Sequence, residues 1–277
     1  MLRLTEIKAI LKMENIRPAK RLGQNFLIDQ NIKNKIINSI ELNRDDTVLE
    51  IGPGLGALTE DLCGMANKVI AVEKDTRLYN FLKERVPFDN LELINTDILK
   101  YEFRDLASKI KIAGNLPYCI SSPILNHLIE NKNEIDTVYA TVQREFAERV
   151  VAGPGTKDYG SLSCYAQFYA EPKILFNIPR GAFFPAPEVD SCFLRITMRG
   201  EKRFDVDEKL FFKIVRSAFE KRRKTMENSL YSAGLFPSKA KVSEALEKAG
   251  IPASARPEAL SLKQFFLLTQ ALRDDII

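Results

Sequence analysis

Thr47-Val48-Leu49-Glu50-Ile51-Gly52-Pro53-Gly54-Leu55-Gly56 is the stretch from which the rest of the chain can be read. Its first five residues form an apolar run of strand length, and they lead without a spacer into a glycine turn. A helix is expected to begin near Ala57. Glycines at such a turn let the backbone bend sharply and approach a bound ligand with no Cβ in the way. Strand, glycine turn and helix in that order carry far more weight than a glycine pattern alone. The turn departs from the dinucleotide fingerprint, because its third glycine follows the second by two residues, not three. A turn that holds no pyrophosphate would meet an amino-acid tail or a ribose instead.

Further strands follow downstream. Lys68-Val69-Ile70-Ala71-Val72 ends at Glu73, 21 residues after Gly52, where a carboxylate can accept both hydroxyl protons of a ribose. Leu91-Glu92-Leu93-Ile94 is followed by Asn95-Thr96-Asp97. Asp97 fits two roles: accepting from an adenine amino group, or capping the segment that follows. Ile110-Lys111-Ile112-Ala113-Gly114 is a fourth strand and Thr137 to Val142 a fifth, with helical sequence between them. Repeated β/α units of this kind predict an α/β fold with a doubly wound sheet, in which ligands bind beyond the carboxyl ends of the strands.

The fourth strand delivers Asn115-Leu116-Pro117-Tyr118 to that edge. Pro117 fixes its own φ and pushes Leu116 towards an extended conformation. The Leu116 carbonyl and the Asn115 side-chain carbonyl then form a pair of acceptors suited to a planar NH2 group, and Tyr118 offers a face for a flat ring. Taken alone, the motif also describes an ordinary turn.

Residues 17–29 carry basic residues ahead of Leu22-Gly23-Gln24-Asn25-Phe26-Leu27, which fits either a surface loop or a segment lying over a ligand. Residues 159–169 and 191–198 read as strand-rich. Between them, Phe183-Phe184-Pro185-Ala186-Pro187 is an extended turn whose phenylalanines fit either of two roles: exposed and walling a base, or packed into the structure. A polar linker near 200 divides the chain into an expected first domain, 1–200, and an expected all-helical second domain, 201–277. In the second, Phe211, Phe212, Val215, Ala218 and Phe219 recur at helical spacing. Arg216, Lys221, Arg222, Arg223 and Lys224 set five cations against the single acid Glu220, which suits phosphate contact or a solvated face.

Composition narrows the function classes. The chain has 277 residues, 45% hydrophobic and 28% charged, with a net charge of +4 that permits a nucleic-acid partner. No apolar run reaches membrane-span length. Residues 1–14 read as an amphipathic helix, not a leader. Cys63, Cys119, Cys164 and Cys192 form no CxxC pair, so neither a zinc site nor a disulfide framework is expected, and a reducing cytoplasm is. His127, the single histidine, sits in an apolar helix and gives little support to a histidine base or metal ligand.

Taken together, these motifs resemble a known family. Glu50 to Gly56 is similar to the cofactor loop of S-adenosylmethionine methyltransferases, Asn115 to Tyr118 to the amine site of adenine-N6 methyltransferases, and Lys20 to Leu27 to the opening motif of the ribosomal RNA adenine dimethyltransferases. Phe219 to Thr225 and Arg256-Pro257-Glu258 resemble the bacterial small-subunit branch. The resemblance implies a Rossmann-like S-adenosylmethionine-dependent methyltransferase domain followed by a small helical RNA-binding domain. The implied reaction converts two adjacent adenosines near the 3′ end of 16S rRNA to N6,N6-dimethyladenosine on a pre-30S particle. The implied enzyme is monomeric and uses no metal. Asn25, Leu27, Gly52, Gly54, Glu73, Asp97 and Asn115 match the family's cofactor contacts. Asn115, Leu116, Pro117 and Tyr118 match its amine site, and Phe183 matches a stacking residue. DNA adenine-N6 methyltransferases are the poorer match, since they usually carry an acid where Asn115 stands.

Overall fold

The computed structural model describes residues 1–16, 24–104, 108–221, 224–234 and 236–272. Arg17 to Gly23, the basic half of the opening motif, lie outside the described residues, as do Arg222 and Arg223.

The chain divides into two compact units, one of Met1–Ala147 with Glu171–Met198, the other of Glu148–Ala170 with Arg199–Ile277. The first is built on a seven-stranded sheet. In chain order its strands are β2 (Thr47–Ile51), β3 (Lys68–Glu73), β4 (Leu91–Asn95), β5 (Ile110–Asn115), β6 (Ile135–Gln143), β7 (Ala170–Ile178) and β9 (Ser191–Met198). Their spatial order is β4-β3-β2-β5-β6-β9-β7. The strands from β4 to β6 pair in parallel and β9 runs antiparallel to β6. β2 has β3 on one side and β5 on the other, so the order of strands reverses there. A crevice opens at such a reversal, beyond the strand ends.

The central strands read as continuous apolar runs because helices cover the sheet. Val48, Leu49, Val69, Ala71, Ile112 and Ala113 are fully buried or nearly so. In chain order α1 (Leu4–Met13) comes before the sheet and α6 (Arg144–Val151) directly after β6; the covering helices include α2 (Gln30–Ser39), α3 (Thr59–Met65), α4 (Thr76–Arg85) and α5 (Ser121–Glu130). The carboxylates of Asp29 and Asp75 accept from the first-turn N–H groups of α2 and α4 and fix where each begins. α3 starts at Thr59, two residues later than expected, because Gly56 N–H bonds the Pro53 carbonyl and the glycine turn takes up the difference.

Two expectations are corrected, and one left open is resolved. Residues 161–169 form a helix, α7 (Ser161–Tyr169), and not a strand. Its β-prone aromatics are held by tertiary packing, with Phe168 against Phe211 at 4.9 Å between ring centroids. The same packing moves the expected boundary at 200, since Ala152, Tyr159, Cys164 and Phe168 share a core with Phe211, Val215 and Phe265. Of the two readings left open for Phe183, the structure shows packing: the ring is buried, 3% exposed. A short ribbon causes this: β1 (Phe26–Leu27) pairs antiparallel with β8 (Phe183–Phe184), placing Leu27 opposite Phe183 and Phe26 opposite Phe184.

The second unit is helical. It holds α7, α8 (Glu208–Glu220), α9 (Met226–Ser232), α10 (Lys239–Lys248) and α11 (Leu262–Ala271). Phe211, Ile214, Val215 and Ala218 line the buried face of α8, while Lys209, Lys213 and Arg216 stand exposed on its other side. Lys221 and Lys224 are exposed just beyond it.

Candidate active site

Ile51 pairs with Gly114, so β2 and β5 end side by side. A Cβ added to Gly114 would lie 2.5 Å from the Ile51 carbonyl oxygen, so a side chain there would force these strand ends apart. Beyond them, the turn from Gly52 and the turn from Asn115 open onto one cavity of about 460 Å³. Asn25, Leu27, Gly52, Gly54, Glu73, Asp97, Asn115, Pro117 and Phe183 all line it. Leu116 and Tyr118 do not. The Leu116 side chain is buried, and its N–H donates to the Thr141 carbonyl at 3.0 Å. The Tyr118 hydroxyl shares a hydrogen bond of 2.6 Å with Ser191 on β9.

Gly52 and Gly54 have φ of +66° and +61°, in the left-handed region that favours glycine. The Gly54 N–H donates to Glu73 Oε2 at 3.1 Å and the Asp75 N–H to Glu73 Oε1 at 2.8 Å. These bonds hold the Glu73 carboxylate at the cavity wall, each oxygen keeping a lone pair for a ribose hydroxyl. Burial raises the Glu73 carboxyl above its ordinary range, partly offset by the N–H donors of Asp75, Gly54 and Lys74. Asp97 takes up the capping role: Oδ1 accepts from Leu99 N–H at 3.1 Å, while Oδ2 pairs with Lys74 at 2.7 Å. Burial pushes the Asp97 carboxyl up, but Lys74 and the Leu99 N–H outweigh it and hold it below its usual value.

The Asn115 amide is oriented by its surroundings. Nδ2 donates to the Asn25 carbonyl at 2.7 Å, and only the amide nitrogen can bond a carbonyl, which sends Oδ1 the other way. Oδ1 is buried and has no hydrogen-bond partner among the described residues. An orphaned acceptor at a cavity wall is unfavourable unless a ligand donor meets it. The bond also ties the amine motif to the opening motif, 90 residues apart in the chain.

Sequence reasoning gave no site role to Glu50 or Asp75, both of which line the cavity. The signal for Glu50 is a charge inside the buried run Val48-Leu49-Glu50-Ile51; its carboxyl is 2% exposed and Oε2 has no partner among the described residues. Asp75 carried no such signal. It accepts from both Arg77 side-chain nitrogens Nε and Nη2 and from Gln24, and the Arg77 bonds hold it below the usual carboxylate range. His127 bonds the Tyr101 carbonyl at 3.0 Å and packs beside Phe103. Among the described residues no group of His, Cys, Asp and Glu could hold a metal, and no helix is long and apolar enough to cross a membrane.

This cavity fits S-adenosylmethionine, the methyl donor: acids for its hydroxyls and cationic groups, glycines where its chain passes, and the free Asn115 oxygen beside them. A family model described as Ribosomal RNA adenine dimethylase matches residues 15–274. A Streptococcus thermophilus protein named Ribosomal RNA small subunit methyltransferase A is 44% identical, over 96% of each chain. One of the same name from Lachnoclostridium phytofermentans is 43% identical over 91% of each. Among solved structures, a dimethyladenosine transferase from Plasmodium falciparum superposes with a TM-score of 0.79 at 26% identity, covering 90% of this chain and 98% of that one. The 23S rRNA methyltransferase ErmE superposes with a TM-score of 0.69 at 28% identity, covering 90% of this chain and 100% of that one. The chain belongs to the ribosomal RNA adenine dimethylase family, and is an S-adenosylmethionine-dependent enzyme that methylates adenine in ribosomal RNA.

Proposed function

We propose that this enzyme dimethylates the N6 amines of two adjacent adenosines near the 3′ end of 16S rRNA, acting as a cytoplasmic monomer on the small subunit during its assembly. The names of its bacterial relatives support the small subunit as the target. The observation that carries the site assignment is Asn115, with one end of its amide fixed on Asn25 and the other left as a buried, unpartnered acceptor.

In this reading Asn115 Oδ1 accepts one proton of the adenine amine, and the carbonyl of Leu116, which stands in the chain between the lining residues Asn115 and Pro117 without lining the cavity itself, accepts the other once the base has entered. A ring-conjugated amine is a poor nucleophile. Two acceptors on one side favour a more tetrahedral nitrogen and free its lone pair. When bound, the cofactor supplies a methyl group on a positively charged sulfur. Transfer then depends mainly on positioning, worth up to ~7–11 kcal/mol of the barrier in well-oriented systems. The proton leaves to water once the nitrogen is alkylated, so no base of the protein is needed. Glu73 holds the ribose hydroxyls, and Asn25, Leu27, Gly52 and Gly54 shape the rest of the donor site.

The target base must leave its stack to enter the cavity, at a cost of a few kcal/mol. Pro117, Phe183 and the Tyr118 turn are its proposed surroundings, and aromatic contact offsets roughly 1–3 kcal/mol per base. The exposed cations Arg216, Lys221 and Lys224, with Arg222 and Arg223 beside them in sequence, are proposed to hold the RNA backbone.

The experiment incubates the enzyme and isotope-labelled S-adenosylmethionine with unmethylated 30S and 50S particles, then maps the label by mass spectrometry. Two dimethyladenosines in 16S rRNA are expected. Label in 23S rRNA alone would refute the small-subunit assignment.

A further inference from the structure

Glu50 is a buried ionisable side chain that the mechanism above does not use. It stands on β2, two residues before Gly52, and lines the donor cavity. Its Oε2 has no partner among the described residues. The strands on either side place Ala71 and Ala113 opposite it, so neither contributes a charge. The charged groups around it are Glu73 from β3 and Asp61 from α3, both repulsive, and Asp61 is already paired with Lys33 of α2 at 2.5 Å. Thr59 and Cys63 of α3 complete the surroundings, and Glu60 lines the same cavity. No cation is left over for Glu50 among these groups.

We propose that Glu50 senses the charge of the donor: its carboxyl is protonated when the cavity is empty, releases the proton to solvent when a cationic sulfonium ligand enters, and regains it when the sulfonium has become a neutral thioether.

The geometry sets the direction. A buried carboxylate with acidic neighbours and no cation is unfavourable, and a carboxyl that keeps its proton removes the difficulty. Burial raises the Glu50 carboxyl to about 8, with Glu73 and Asp61 adding to it and the Thr59 hydroxyl drawing it back. S-adenosylmethionine brings a net positive charge into the cavity, and S-adenosylhomocysteine brings none. The ionised form of Glu50 is therefore favoured by the donor more than by the product. Proton release then belongs to donor binding and proton uptake to product formation. By linkage, donor affinity rises with pH while the empty-state carboxyl still holds its proton, by up to about tenfold per unit, and levels off above pH ~8.

This inference rests on the reading of the cavity as the donor site, and calorimetry separates the two. Binding of S-adenosylmethionine and of S-adenosylhomocysteine, without RNA, is measured at pH 7 in buffers of different ionisation enthalpy. The ligands' own amino groups titrate nearby, so the count of interest is wild type minus Glu50→Gln. The expected difference is about one proton released for S-adenosylmethionine and less than half of one for S-adenosylhomocysteine. Equal counts in wild type and variant, or equal differences for the two ligands, would overturn the proposal. Absence of any binding by the wild type would instead overturn the donor-site reading, and this one with it. Should Glu50→Gln not fold, carboxyl-13C NMR of the wild type decides the matter. A glutamate carbon titrating near pH 8 in the empty protein, and ionised down to pH 6 with S-adenosylmethionine, is expected; the same titration in both states would overturn the proposal.

Discussion

Asn115 is proposed to work through both ends of its amide, and one variant tests the two together. Asn115→Ala removes the acceptor from the cavity and the donor from the Asn25 carbonyl. Transfer is expected to fall at least ~100-fold, as when one positioned hydrogen-bonding group is removed from other active sites. The circular dichroism spectrum should be unchanged, and wild-type turnover in that variant would refute the role. Gly114 acts through backbone alone. Gly114→Ala places a Cβ against the Ile51 carbonyl and is expected to cost ~1–3 kcal/mol, read from urea unfolding, with donor affinity lost as the strand ends part. Glu50 trades stability against charge. Its folded-state pKa is raised above the unfolded value, so the folded state binds the proton more tightly and stability falls as pH rises from about 4.5 towards 8. Glu50→Gln should therefore be more stable than wild type at pH 8.5, with a smaller gap at pH 5. Equal melting curves for the two proteins at pH 8.5 would count against a raised Glu50. Of these residues, Asn115 was legible because its motif is compact and follows an obvious strand. Gly114 and Glu50 were not singled out, because their meaning depends on what the neighbouring strands bring against them.

At the scale of elements, the parallel strands and the glycine turn could be read directly, since a buried strand leaves a run of apolar residues and a turn with positive φ calls for glycine. The β1–β8 ribbon could not. Two residues on each side, 156 positions apart, give no periodicity to detect. Yet the ribbon is what buries Phe183 and carries the opening motif to the cavity edge. Phe183→Ala is expected to destabilise the first unit by ~3–5 kcal/mol, the usual cost of deleting a buried ring, and to weaken donor binding as well. Loss of turnover with unchanged stability and donor affinity would point instead to a purely base-stacking role. α7 misled the reading because its tyrosines and phenylalanine suit a strand, and the aromatic core that overrides this preference is assembled from distant helices. β7, which carries Pro172, sits at the sheet edge, where a missing ladder donor is tolerated and apolar alternation is weak.

For the whole molecule, a net charge of +4 is modest, so RNA affinity must come from where the cations sit. Replacing Arg216, Lys221 and Lys224 together by alanine should weaken binding to 30S particles. It should also lower the slope of log affinity against log salt by ~0.7–0.9 for each phosphate that the variant no longer neutralises. An unchanged slope would mark that cluster as a solvated face.

The adjacency of β2 and β5 has one more implication. The turn proposed to hold the donor and the turn proposed to hold the amine are suspended from neighbouring rungs of one ladder, Ile51 beside Gly114. Main-chain spacing, roughly 4.8 Å between paired strands, therefore sets how far apart the two turns are rooted. Such a gauge is rigid and indifferent to which methyl is being delivered. Adjusting to a nitrogen that already bears one methyl is then expected of the nucleoside and its RNA, with the two strand ends at the same spacing in both rounds.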